Sequence, residues 1–144
     1  MWQYRITYLL LISIVISFTL VIRGKAQTTY PSNKGEKVRY AAVIETPKAY
    51  LSGICILYHD ENDEMKGSFF NEFGISAIDF SYFENKDKVK LHHVVKMMDK
   101  WYIKKVLRRD IRELIHQLKL GNECYKDERY HINYRFKPVE ANDR

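Results

Sequence analysis

Proline and glycine are scarce, at three and six residues in a chain of 144, while aromatic residues reach 14%. That balance excludes a disordered chain and favours an ordered, aromatic-rich β or α+β domain. Cysteine is nearly absent, with only Cys55 and Cys124. There is no C-x-x-C and no paired metal-ligand spacing, so neither a thiol nor a metal centre is expected. The two thiols leave open one disulfide or two free cysteines. Cys55 lies in the apolar run Ile54-Cys55-Ile56-Leu57 and reads as a small buried hydrophobe. No H-E-x-x-H, G-x-S-x-G or S-x-x-K pattern occurs. His92 and His93 are strand neighbours expected to point to opposite faces, and His59, His116 and His131 are scattered. The expectation is a non-enzyme without cofactor. The acidic turn Asp60 to Glu64 offers oxygen atoms but lacks the spacing and internal glycine of a dedicated calcium loop, so it reads as solvated.

One long apolar run is present, and it is N-terminal. Ile6 to Ile22 carries no charge and follows a single Arg5, with small residues at Gly24 and Ala26. This pattern fits a secretory signal cut after Ala26. It also fits an uncleaved anchor, because ~17 apolar residues approach the length that spans a bilayer. The cations behind the run (Arg23, Lys25, Lys34, Lys37, Arg39) oppose export of the C-terminal part. A bacterial lipoprotein start is excluded, since no Cys directly follows the run. Without residues 1–26 the formal charge falls from +6 to +3. Residues 27–37 read as a polar linker, 38–137 as a single domain and 138–144 as a polar tail.

Beyond the linker the hydrophobic period is two. Val38 to Ile44, Leu51 to Tyr58, Met65 to Phe73, Ile75 to Phe83 and Val89 to Met98 read as strands separated by short turns. A sixth strand is expected at Tyr130, Ile132, Tyr134 and Phe136, whose side chains alternate with polar ones. Val89, Leu91, His93, Val95 and Met97 are expected on one face, as are Ile78, Phe80 and Tyr82. Gly53 marks a bulge or a close approach of another backbone. Short strands in succession imply an antiparallel meander with one dry face.

From Asp99 to Leu120 the period becomes 3.6. Ile103, Leu107, Ile111, Leu114, Ile115 and Leu118 form one apolar stripe, Asp99 is a candidate N-cap and Gly121 a candidate stop. The far side of this helix carries Lys105, Arg108, Arg109, Arg112 and Lys119. These cations suit either a solvated helix face or a docking surface for anionic head groups or an acidic partner. Nucleic acid is not an expected partner, because the aromatics that would stack bases occupy core-facing strand positions.

The order of leader, aromatic-rich meander and long amphipathic helix resembles the lipoprotein-localisation factors of bacterial envelopes, the LolA/LolB-like half-barrel. The segments Ser52-Gly53-Ile54-Cys55-Ile56, Phe70-Asn71-Glu72-Phe73-Gly74 and Ile78-Asp79-Phe80, then Trp101 and Leu107-Arg108-Arg109-Asp110, carry the resemblance over Val38 to about Lys137. It implies an α+β fold: a curved antiparallel sheet of about six strands with one helix on its concave face, behind an N-terminal apolar leader helix. It also implies an exported envelope protein that binds lipid or lipoprotein acyl chains. The lining of such a cavity would come from Leu51, Phe69, Ile78, Phe80, Leu91, Val95, Leu107, Ile111, Ile132 and Tyr134. Filling an apolar hollow is worth ~25 cal/mol per Å² to an acyl chain. The alternative is that these residues close a dry core and the chain is a structural or protein-interaction module of the envelope.

Overall fold

The computed structural model describes residues 29–140. The expected leader and the end of the polar tail lie outside the described residues. Among those described, no helix is long and apolar enough to cross a membrane.

Alternation builds seven strands: β1 (Lys37–Glu45), β2 (Tyr50–His59), β3 (Glu64–Asn71), β4 (Ser76–Phe83), β5 (Lys88–Val94), β6 (Cys124–Asp127) and β7 (Ile132–Pro138). One helix, α1 (Trp101–Lys119), lies between β5 and β6 in sequence. The strands pair antiparallel in the order β5-β4-β3-β2-β1-β7-β6. The result is a curled half-barrel, with α1 in contact with both edge strands, β5 and β6. This agrees with the α+β expectation. Strand β6 was not foreseen, because its four residues CYKD carry too little alternation to register.

Register explains which side chains enter the core. Tyr40 opposes Cys55, Cys55 opposes Phe69 and Phe69 opposes Ile78, a row of inward side chains across four strands, all of them buried. Leu107, Ile111, Leu114, Ile115 and Leu118 of α1 close over them. Gly53 does mark a close approach: a Cβ there would stand 1.8 Å from the Phe70 carbonyl oxygen. At Gly67 a Cβ would meet the Phe80 ring at 2.1 Å, so the missing side chain is the seat of that ring.

The β5 expectation needs correction. The register shifts between Asp79 and Phe80, so that Leu91 opposes Phe80 but His93 opposes Asp79 and Val94 opposes Ile78. One extra residue inverts the alternation beyond it. His92 is that residue, and its Nε2 lies 2.7 Å from Ser81 Oγ, while His93 pairs on the same outer face. The strand then ends at Val94, and a 3-10 turn over Lys96–Met98 turns Met97 outward, 75% exposed. Helix α1 also starts later than expected. Asp99 closes the 3-10 turn and pairs with Lys104 at 2.7 Å instead of capping the helix. The stop at Gly121 is as read from sequence, with φ +85 and its N–H donating to Leu118.

Residues 29–36, expected as a linker, are held against the domain. Tyr40 Oη donates to the Thr29 carbonyl at 2.7 Å, His59 Nδ1 lies 3.2 Å from the Pro31 carbonyl, and Tyr30 is buried.

Candidate functional site

Six of the ten expected cavity residues, Phe69, Ile78, Phe80, Leu107, Ile111 and Tyr134, are buried in one continuous core. Leu51, Leu91, Val95 and Ile132 are half-buried at its margin. The space left between sheet and helix is about 20 Å³, lined by residues such as Ile44, Cys55, Leu57, Phe80 and Leu118. That is room for about one water molecule. The expected hollow is therefore closed. The sheet curls until both edges reach α1, and large inward side chains meet opposite small ones, as Phe80 does Gly67. Depth of curl is a property of the whole sheet and leaves no mark in any one strand.

Polar groups tie α1 down on its two sides. Towards β6 and β7, the fully buried Asp110 accepts from Tyr134 Oη at 2.8 Å and from Arg109 at 2.9 Å. Arg109 also donates to Asp127, whose other oxygen accepts the backbone N–H of Arg129 at 2.9 Å. Burial pushes the Asp110 carboxyl up to about 6, against the lowering effect of the Tyr134 and Arg109 hydrogen bonds. Towards the β4–β5 turn, His116 Nε2 lies 2.7 Å from Asp87, Tyr82 Oη donates to Asp87 at 3.0 Å, and Lys119 donates to Glu84 at 2.6 Å. Desolvation works against the Asp87 carboxylate, yet the bonds to His116 and Tyr82 hold it below the usual range. Burial pushes the Tyr82 phenol up to about 12.

These ties divide the basic stripe. Arg109 belongs to the Asp110–Asp127 cluster, Arg112 pairs with Glu113 at 3.0 Å and Lys119 with Glu84. Lys105 and Arg108 are exposed and enter no ion pair among the described residues. In the stripe, Arg109 and Lys119 thus clasp α1 to Asp127 of β6 and to the β4–β5 turn, Arg112 pairs within the helix, and Lys105 and Arg108 are solvated.

Strand directions place the β1–β2 turn, the β3–β4 turn, the β5–α1 connection and the β6–β7 turn at one end of the half-barrel. Large apolar side chains cluster there in solvent: Tyr50, Phe73, Ile75, Met97, Trp101 and Tyr102, with Phe73 at 81% exposure and Trp101 at 75%. Tyr130 joins them, flanked by Arg109 and Arg129, each 5.5 Å from its ring centre. Sequence reading missed this rim. It assigned Phe73, Ile75 and Met97 to strands, although the turn-forming Gly74 between Phe73 and Ile75 was the available signal.

The β3–β4 turn is closed by its own hydrogen bonds. Asn71 Oδ1 accepts from both Phe73 N–H and Ile75 N–H at 3.0 Å, and Gly74 supplies the φ of +75 that the turn needs. Beside it, the Val95 N–H donates to the Ala77 carbonyl at 2.9 Å, just before the 3-10 turn that carries Met97. Trp101 and Tyr102 meet edge to face, with ring centres 5.9 Å apart.

The convex face carries an open depression of about 410 Å³ between Glu64, Lys66, Asp79 and His92. The Ser81–His92 contact lies in it, but Ser81 is buried and Asp79 is engaged by Ser76 at 2.8 Å. Among the described residues no group of His, Cys, Asp and Glu is placed to hold a metal. In the acidic turn, Asp60 pairs with Lys66 at 2.6 Å and Asp63 with Lys34 at 3.2 Å. Cys55 is buried and Cys124 exposed on β6, so the disulfide alternative fails and both thiols are free.

No protein-family profile matches the chain, and no curated protein or solved structure is significantly similar to it.

Proposed function

We propose that this domain is a non-enzymatic interaction module of the bacterial cell envelope, exported by its N-terminal apolar segment, that acts through its surface and holds no small ligand inside. The observation that carries this reading is the pairing of a closed interior, with about 20 Å³ free, and an apolar rim gathered at one end. Exposed apolar side chains gathered at one end and rimmed by polar residues mark an interaction site, where singly scattered ones do not. The half-barrel with one helix is also the arrangement that the resemblance to lipoprotein-localisation factors implies.

A second reading keeps acyl chains as the ligand. It is supported by the apolar lining of the sheet–helix interface and by the polar ties along α1, which would have to part for a chain to enter. Native mass spectrometry of the purified protein separates the two. A ligand-free mass supports the surface module. Stoichiometric lipid that disappears in Phe80→Asp would favour the carrier and end the first reading.

A further inference from the structure

We infer that the rim formed by Tyr50, Phe73, Ile75, Met97, Trp101 and Tyr102 docks on an anionic lipid membrane, inserting at the boundary between head groups and acyl chains. This rests on the surface-module reading above and names the partner of that surface.

Three features of the rim specify the occupant. Its composition is that of an interfacial anchor, in which Trp and Tyr place an apolar ring body and a polar tip at the depth where bilayer polarity changes. Its charge is complementary to an anionic surface. Lys48, Lys96, Lys100, Lys105 and Arg129 are exposed at this end and enter no ion pair among the described residues, while Asp99 and Glu128 are neutralised by Lys104 and Lys126. Only Glu45 and Glu72 offset them. The acidic turns Asp60–Glu64 and Glu84–Asp87 lie at the opposite end, where Asp60, Asp63 and Glu84 are paired with Lys66, Lys34 and Lys119. Finally, the Phe73 and Ile75 tip is already fixed by Asn71, so insertion costs little ordering entropy. A second copy of the chain is a poor occupant, because two such ends would bring their excess cations together.

The chain enters the domain at Thr29, whose carbonyl accepts from Tyr40, five residues or roughly 17 Å along β1 from its rim end. Trp101 lies in the rim itself, so its emission reports contact at that surface.

The test uses the full chain with Trp2→Phe, leaving Trp101 as the single indole, and vesicles of phosphatidylcholine with or without phosphatidylglycerol. On anionic vesicles Trp101 emission is expected to shift to the blue and to be quenched by brominated acyl chains, with both effects fading as salt rises. Each of Lys96→Gln and Lys100→Gln is expected to weaken this binding about fivefold. Phe73→Ser with Ile75→Ser is expected to abolish quenching while leaving Tm unchanged, since both side chains are exposed. Trp101 emission and quenching that stay the same on anionic vesicles would overturn the membrane assignment. Combined with a ligand-free native mass, that result would leave the surface module standing and point to a protein partner.

Discussion

Tyr134 on β7 donates a 2.8 Å hydrogen bond to Asp110 on α1, joining two side chains that are both almost fully buried. The helix stripe thus contains one ionisable residue that faces the core, and its charge makes the seat of α1 sensitive to pH. The folded carboxyl titrates at about 6, whereas an unfolded Asp titrates near ~3.9. Between those values the folded chain binds a proton that the unfolded chain does not. Stability is therefore expected to rise as pH falls from 7 towards 4, by on the order of 2 kcal/mol from this group. Asp110→Asn should flatten that part of the profile, measured by urea unfolding from pH 4.5 to 7.

Tyr134→Phe removes the donor and leaves a buried carboxylate oxygen with one partner fewer. The expected loss is about 1–3 kcal/mol at pH 7, shrinking at pH 5 where Asp110 is protonated. A loss independent of pH would mean that the ring alone matters.

Gly53→Ala places a Cβ against a backbone oxygen, and Gly67→Ala places one against the Phe80 ring. Backbone cannot yield as a ring can turn, so Gly53→Ala is expected to be the more damaging, with both losing about 1–3 kcal/mol or more. Thermal unfolding of the two variants side by side checks the order.

Burial pushes the Cys55 thiol far above its ordinary range, while Cys124 is exposed on an edge strand. A thiol reagent should label one cysteine per native chain and two per unfolded chain, and Cys124→Ser should remove the native reactivity. Two native thiols reacting at equal rates would contradict the packed core.

Leu114 and Ile115 are buried where α1 meets the sheet. Leu114→Ala is expected to cost about 2–5 kcal/mol in unfolding free energy, because so closed an interior collapses poorly around a deletion. A cost well under 1 kcal/mol would indicate a looser interface, as an acyl-chain carrier requires.

Much of this architecture was legible before any coordinates. Apolar strand runs, alternating or continuous, bounded by turn formers located β1 to β4 and β7, and the 3.6 period located α1 because its stripe covers the inner face of the sheet. The stop at Gly121 was legible because a left-handed C-terminal residue is imposed by local sterics, and Gly53 because a glycine inside an apolar strand run marks a bulge or a close approach. The bulge at His92 was not, since the extra residue is defined only against its partner on β4. Asp110 had no reading of its own beyond the segment Leu107-Arg108-Arg109-Asp110, because its partners Tyr134 and Asp127 are distant in sequence.

What the sequence determined by itself was five strands and the helix, their order and the stripe that α1 buries, all properties of periods of two and 3.6. Only the tertiary structure decided that the sheet curls far enough to close over α1, and that turns separated by up to eighty residues bring Tyr50, Phe73, Met97, Trp101 and Tyr130 to one end. Closure and clustering depend on how strands pair and twist together, which is summed over the whole sheet and is absent from any single segment.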